Sequence, residues 1–356
     1  MKKILLFSIF LFFVLVQLNA QKNNLSLFYF GGIHINSGQI VPHSNRVKHI
    51  KGDIFSVQAK IYHRIENIGN WDSPFQSTRF GYSLSYIHTN NLIIGNLWGV
   101  NMFMEPTIFR FGRINLNSHL GAGIAYATEK FDKESNPTNY MISTDFSFFF
   151  NARFQLDYAL NKDFSLGVNA GFSHCSNAAL YLPNLGINIF NYGLNLNYNI
   201  NYIGQSGKNH EKPFIEKKWA NDIALGFATR NVNEELNKYY KIFTADYALN
   251  RFLNRKNILS LNLHYVLRQG EINDKIYSTT YNSYFGLAVG HELLIRKLAV
   301  LTQLGNYIYD TNLNENYWYA RLGVRYYFTP KLFGMITLTN RKQSADYLQY
   351  ALGYRF

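Results

Sequence analysis

Apolar and polar residues alternate along most of the chain in segments of about 10 to 15 residues. In segment 146–158 every even position is apolar, from Phe146 to Tyr158, whereas Arg153 and Asp157 stand at odd positions. Segment 318–328 repeats the pattern, with Arg321 and Arg325 between apolar neighbours. A period of two is that of a β-strand, because successive side chains point to opposite faces. The pattern therefore predicts an all-β chain of antiparallel strands.

The apolar faces of these predicted strands are unusually rich in rings. Aromatic residues make up 17% of the chain and charged residues 16%. Charged side chains that face a lumen and ring-rich apolar side chains that face lipid are typical of a transmembrane β-barrel. A soluble β-sandwich is the alternative, but so many ring-rich apolar faces favour the barrel. After residue 20 no apolar run reaches the ~20 residues that a membrane-spanning helix needs.

The pattern predicts about sixteen strands, an even number as expected for a bacterial barrel. Fourteen strands are an alternative, because the stretch before Asp53 is poorly patterned. The predicted strands are 25–33, 53–64, 78–88, 98–113, 119–128, 143–158, 164–174, 189–202, 222–228, 239–250, 258–268, 281–292, 298–309, 317–328, 332–340 and 347–356.

The chain divides into four predicted parts. Residues 1–20 read as a secretory signal peptide, with Lys2 and Lys3 before an apolar run and a cleavage site after Ala20. Residues 21–203 hold the first set of strands, 204–218 form a polar connection, and 219–356 hold further strands. Since two barrels in tandem would be unusual, we expect one barrel of about 14–16 strands, with 204–218 as a long periplasmic connection.

The last predicted strand alternates to its final residue, Phe356. A terminal Phe of this kind resembles the assembly signal of bacterial outer-membrane barrels. The resemblance implies the outer membrane of a Gram-negative cell and the barrel assembly machinery as a partner. Short turns then lie on the periplasmic side, so strand 164–174 runs outward and ends near the cell surface.

Three polar residues occupy positions where the pattern calls for apolar ones. His174 and Ser176 continue the lipid-facing positions of strand 164–174, and Asn188 shares that parity on the returning strand. A polar group on a lipid-facing wall is costly unless it is paired or used. The alternative is that all three lie in the headgroup layer as ordinary rim residues. Cys175, the single cysteine, has lumen parity, which argues against it as a nucleophile.

The same stretch carries a family resemblance. His174-Cys175-Ser176-Asn177-Ala178, followed by Pro183-Asn184-Leu185-Gly186-Ile187, resembles the signature of the outer-membrane lipid A 3-O-deacylases (PagL) and their acyloxyacyl hydrolase relatives. The resemblance implies that Ser176 is the nucleophile, His174 the general base and Asn188 the residue that orients it, where well-known members have a glutamate. It further implies that the side chain of Asn184 and a backbone N–H near Ala179 form the oxyanion hole. Asn177 also matches a family position, which implies that it supports this local structure.

These observations lead to one functional expectation and one alternative. We expect a serine esterase that removes an ester-linked acyl chain from lipid A of lipopolysaccharide, surrounded by outer-membrane lipid, with no cofactor, no metal and no nucleic acid. A net charge of +13 suits phosphate-bearing partners. The alternative is a non-catalytic pore or structural barrel with a vestigial site. Sixteen strands could enclose a lumen lined by Arg153, Arg321, Arg325 and Arg355, which would favour anions.

Overall fold

The computed structural model describes residues 29–65, 78–201, 218–233, 238–254, 256–272, 275–295, 297–310, 318–341 and 344–356. These residues form seventeen β-strands whose pairings are all antiparallel, arranged in two separate closed sheets. The predicted signal peptide 1–20 and the polar connection 204–218, apart from Lys218, lie outside the described residues. Within the described part, no helix has the length and apolar character to cross a membrane.

The first sheet contains nine strands, eight of which form a closed ring. Pairing of β1 with β9 and of β4 with β6 closes the ring, whereas β5 pairs with β6 alone. The strands are β1 (Tyr29–Ile40), β2 (Asp53–Ile65), β3 (Thr78–His88), β4 (Asn96–Glu105), β5 (Thr107–Phe111), β6 (Ile114–Ala127), β7 (Phe146–Ala159), β8 (Phe164–Ser176) and β9 (Ile187–Asn201).

The second sheet is a closed ring of eight strands in sequence order. Pairing of β10 with β17 closes it. The strands are β10 (Trp219–Asn233), β11 (Lys238–Phe252), β12 (Asn257–Ile272), β13 (Lys275–Ile295), β14 (Leu298–Asp310), β15 (Trp318–Tyr327), β16 (Leu332–Arg341) and β17 (Ser344–Arg355).

The all-β antiparallel barrel fold is thus confirmed, but the expectation of one barrel of 14–16 strands is wrong. β9 pairs with β1, with Ile33 opposite Leu196, so the first ring is complete before the second begins. Alternation of side chains fixes the two faces of a strand and leaves open which strands close a ring. The predicted strand 98–113 is divided into β4 and β5 at Pro106, a residue that has no N–H to donate to a ladder.

Each barrel presents an apolar outer wall and a polar, filled interior. Leu194 on the outer face of β9 is 59% exposed, whereas its neighbour Asn195, which points inward, is 1% exposed. In the second barrel Leu322 is exposed and Arg321 is buried. This alternation is the one expected of strands between lipid and a lumen. An eight-stranded barrel has an interior just wide enough to be filled by side chains.

A network of charged side chains fills the first lumen. Lys60 Nζ lies 2.8 Å from Glu105 Oε2, and Arg79 Nη1 lies 2.6 Å from Glu105 Oε1 and 3.1 Å from Asp157 Oδ2. His119 Nδ1 is 3.1 Å from Glu105 Oε2. Glu105 on β4 is therefore joined to three other strands of the ring, β2, β3 and β6.

The four arginines predicted to face a lumen do so, and all are buried. Arg321 lies 2.8 Å from Asp246 Oδ1, and Arg325 and Arg355 lie 2.6 and 2.7 Å from the carboxylate of Asp222. In the first barrel, Arg153 donates to the side-chain oxygen of Gln58. These contacts hold the guanidinium groups inside two filled eight-stranded barrels, so the wide arginine-lined lumen of the pore hypothesis is not formed.

Replacing Glu105 with Ala should strongly destabilise the first barrel. The change leaves the charges of Lys60 and Arg79 buried with less compensation, a situation that costs about 3–5 kcal/mol. Urea unfolding of the detergent-solubilised protein, followed by tryptophan fluorescence, measures the loss. Glu134→Ala, which removes the same charge from an exposed loop, is the control and should be nearly neutral. Equal stabilities for the two variants would contradict the structural role of Glu105.

Candidate active site

The candidate residues lie where β8 ends and β9 begins. The two strands pair directly, with His174 opposite Asn188, and the loop 177–186 connects them. The β7–β8 turn at the other end is short, and in bacterial barrels short turns are periplasmic and long loops extracellular. The site lies at the end of the first barrel opposite this short turn, the end that the sequence analysis expects to be extracellular. His174 and Ser176 share the outward parity of Phe172, which is exposed on the wall.

His174 is held from the neighbouring strand by Asn188. The Nδ1 atom of His174 lies 2.6 Å from Oδ1 of Asn188. Since an amide oxygen only accepts hydrogen bonds, Nδ1 carries the proton and the lone pair of the neutral ring is on Nε2. This is the tautomer that a histidine needs in order to take a proton from a hydroxyl group.

Two N–H donors converge on the hydroxyl oxygen of Ser176. The side-chain amide of Asn184 donates to Oγ at 2.9 Å, and the backbone N–H of Ala178 donates at 3.2 Å. The backbone N–H of Asn177 donates to Oδ1 of Asn184 at 3.0 Å, which turns the NH₂ of Asn184 toward the serine. Within the described residues no hydrogen bond joins Ser176 to His174; the serine oxygen is occupied as an acceptor, and its own proton is available to a base.

The loop that supplies these donors has an uncommon backbone. Ala178 and Ala179 have φ angles of 56° and 62°, in the left-handed region that residues other than glycine rarely adopt. The buried Asn177 side chain secures the turn, because its NH₂ donates to Ser143 Oγ at 3.1 Å and to the carbonyl of Tyr181 at 3.0 Å. Such strained residues persist only where the surroundings hold them, and they concentrate at functional sites.

Gly186 gives the imidazole of His174 its space. Its φ is +78°, and a Cβ added there would lie 2.8 Å from Cε1 and 3.3 Å from Nε2 of His174. Its N–H donates to the carbonyl of Met141 at 2.9 Å, which ties the loop to the segment before β7. A residue with a side chain at this position would have to push the histidine aside.

The structure separates the remaining predicted residues by position. Cys175 is 1% exposed and faces the lumen, opposite in parity to His174. The donor directed at Ser176 is the N–H of Ala178, the residue before the predicted Ala179.

The second barrel contacts the loop 177–186, because the carbonyl of Ala179 accepts a hydrogen bond from the N–H of Asn231 at 3.4 Å. The rings of Tyr181 and Tyr239 add an edge contact, with centroids 6.0 Å apart.

Sequence reasoning did not single out His43. The Nδ1 atom of His43 nevertheless lies 2.9 Å from Nδ2 of Asn188. The two residues are 145 positions apart, and β1–β9 pairing brings them together. No local motif signals such a contact. The part of the chain that the structure describes contains no group of three or more His, Cys, Asp or Glu residues arranged to hold a metal ion.

The apolar outer walls, the filled lumens and the polar cluster on the first wall define an outer-membrane β-barrel with a candidate hydrolase site. Comparison with family models gives the assignment. Residues 57–199 match the model for lipid A 3-O-deacylase (PagL), and residues 219–356 match the model for the acyloxyacyl hydrolase C-terminal domain. The chain belongs to this family of lipid A deacylases. No curated protein matches the sequence significantly.

Among solved structures, the chain is similar to other outer-membrane barrels. Neisserial surface protein A is 11% identical with a TM-score of 0.31, and the match covers 49% of this chain and 97% of that one. OccAB4 from Acinetobacter baumannii is 8% identical with a TM-score of 0.26, and the match covers 94% of this chain and 99% of that one. Such low TM-scores support no functional comparison.

Replacing Gly186 with Ala should impair ester hydrolysis because the new methyl group meets the His174 ring. A displacement of about 1 Å in a catalytic group can cost about 10²-fold in rate. Gly112→Ala is a matched control, since Gly112 also has a positive φ, +55°, but has nothing within 4 Å of its added Cβ. Initial rates of fatty-acid release from purified lipopolysaccharide measure both. Similar rates for the two variants would mean that Gly186 does not set the position of the histidine.

Proposed function

We propose that this protein is an outer-membrane serine esterase that removes an ester-linked acyl chain from lipid A through a Ser176–His174–Asn188 mechanism. The observation that supports it best is the convergence of Asn184 and Ala178 N–H donors on Ser176 Oγ, beside a histidine whose Nδ1 is bonded to Asn188. Membership in the lipid A deacylase family supports the same chemistry.

In the first step, Nε2 of His174 takes the proton of the Ser176 hydroxyl while Oγ attacks the carbonyl carbon of the ester. Negative charge then develops on the former carbonyl oxygen. We assign the stabilisation of this charge to the N–H groups of Asn184 and Ala178, which donate to Ser176 Oγ in the structure. Donors that meet charge formed only in the transition state contribute strongly to catalysis. Asn188 accepts from Nδ1 of the imidazolium through its amide oxygen, as it does in the neutral state.

In the second step, the tetrahedral intermediate collapses. The bond between the carbonyl carbon and the alcohol oxygen of the ester breaks, and this oxygen takes the proton from His174 Nε2. The acyl group remains on Ser176 Oγ. A water molecule then attacks the carbonyl carbon of the acyl-serine while Nε2 of His174 takes its proton. The bond between the acyl carbon and Ser176 Oγ breaks, Oγ takes the proton back from Nε2, and the fatty acid leaves.

The location of the site supports a membrane-embedded substrate. His174 and Ser176 face outward at the extracellular end of an apolar wall, so an ester reaches them from the outer leaflet. Lipid A presents acyl esters at the boundary between its sugar and its chains, which suits a site at the end of an apolar wall. Its phosphates suit a chain of net charge +13.

Replacing Ser176 with Ala should lower the rate of fatty-acid release about 10³-fold or more, while folding and membrane insertion persist. Mass spectrometry of lipid A from cells that carry each variant measures the reaction. Ser173→Ala is the matched control: it removes a serine three positions earlier that faces the lumen and bonds to Asn151 at 3.0 Å. Deacylation that continues in the Ser176→Ala variant would rule out the mechanism.

A further inference from the structure

The amide of Asn188 lies between two imidazole rings. Its oxygen is 2.6 Å from Nδ1 of His174, and its nitrogen is 2.9 Å from Nδ1 of His43. An amide nitrogen donates and does not accept, so the Nδ1 atom of His43 is the acceptor and the ring carries its proton on Nε2. Within the described residues, the Asn188 NH₂ group donates to His43.

An amide in the orienting position has a weakness that a carboxylate does not have. If the side-chain amide of Asn188 flips, its NH₂ group faces Nδ1 of His174, and Nδ1 must then accept the hydrogen bond. The proton of the neutral His174 ring moves to Nε2, the nitrogen that has to take the proton of Ser176. In a serine triad, replacing the orienting carboxylate by an amide that selects the wrong tautomer lowers kcat by about 10⁴-fold. A triad built with Asn188 therefore requires a group that fixes which end of the amide meets the histidine.

The loop that carries His43 is fixed against the start of β9. The N–H of Val41 donates to the carbonyl of Asn188 at 2.8 Å. Beyond His43, Ser44 caps a single 3₁₀ turn, Asn45–Val47, and Val47 is fully buried in the same apolar cluster as Ile187. The His43 backbone is thus attached on both sides, although its ring is exposed at the rim.

We propose that His43 is a positioning residue, the fourth member of the group formed with Ser176, His174 and Asn188. Its Nδ1 atom accepts a hydrogen bond from the Asn188 NH₂ group and so holds the amide oxygen toward His174. This inference rests on the proposed function. It assigns His43 no contact with the substrate or with the reacting atoms. It also gives a reason why an asparagine serves at a position where a carboxylate would need no such support.

The test is a double-mutant cycle in the full-length protein, with purified lipopolysaccharide as the probe. His43→Ala should lower kcat about fivefold or more without a matching change in KM, since one orienting hydrogen bond is lost. His43→Asp should retain activity, because its carboxylate oxygen stands where Nδ1 stood and can only accept. In an Asn188→Asp background, His43→Ala should change kcat by less than about twofold, since a carboxylate has no wrong orientation. His49→Ala, an exposed histidine in the same loop, is the control.

A second measurement separates this inference from the proposed function. In protein labelled with ¹⁵N-histidine, the imidazole nitrogens of His174, identified by their loss in His174→Gln, should report a proton on Nδ1. A population with the proton on Nε2 should appear in His43→Ala and be absent from His43→Asp. This readout does not depend on hydrolysis. An unchanged tautomer in His43→Ala, or equal losses of kcat in the parent and the Asn188→Asp backgrounds, would overturn the role of His43, whereas absent hydrolysis in the parent protein would overturn only the proposed function.

Discussion

Closure of each sheet on itself is the constraint on which the rest of this structure depends. In hydrocarbon no water is present to bond a free N–H or C=O group, so a sheet that spans the membrane must leave no open edge. Once β1 pairs with β9 and β10 with β17, every second side chain of each strand points to lipid and the others into the lumen. The outward face selects apolar residues, and the inward face collects carboxylates and arginines that are buried because they are paired.

The geometry of the candidate site follows from that alternation. His174 and Ser176 are two positions apart on β8, and Asn188 is the direct partner of His174 on β9, so one wall presents all three. The loop 177–186 then brings Asn184 and the Ala178 N–H to the serine. Polar groups on an apolar wall are tolerated here because each has a partner from this hairpin or from the adjacent β1–β2 loop. The charges of the lumen lie on the opposite face of the sheet and take no part in these contacts.

Much of this arrangement was predictable from the sequence, and the remainder depended on long-range closure. Period-two patterning predicted the strands and their faces, including the lumen side of Cys175 and Arg321, because each face meets a single kind of environment. It did not predict two barrels, since a pattern that assigns faces is the same in one ring of sixteen strands and in two rings of eight. His174, Ser176 and Asn184 were singled out because they belong to one short motif. His43 could not be, because it reaches Asn188 through a pairing between the first and last strands of the ring.

The outward direction of the Ser176 wall has a kinetic consequence. Under the proposed function, the enzyme meets its substrate by lateral diffusion within a two-dimensional leaflet, so its rate depends on the mole fraction of that substrate in the leaflet. Adding inert amphiphile to a mixed micelle lowers the encounter rate even when the amount of substrate per volume of solution is unchanged. Rates for such an enzyme are therefore comparable only between preparations with the same surface composition.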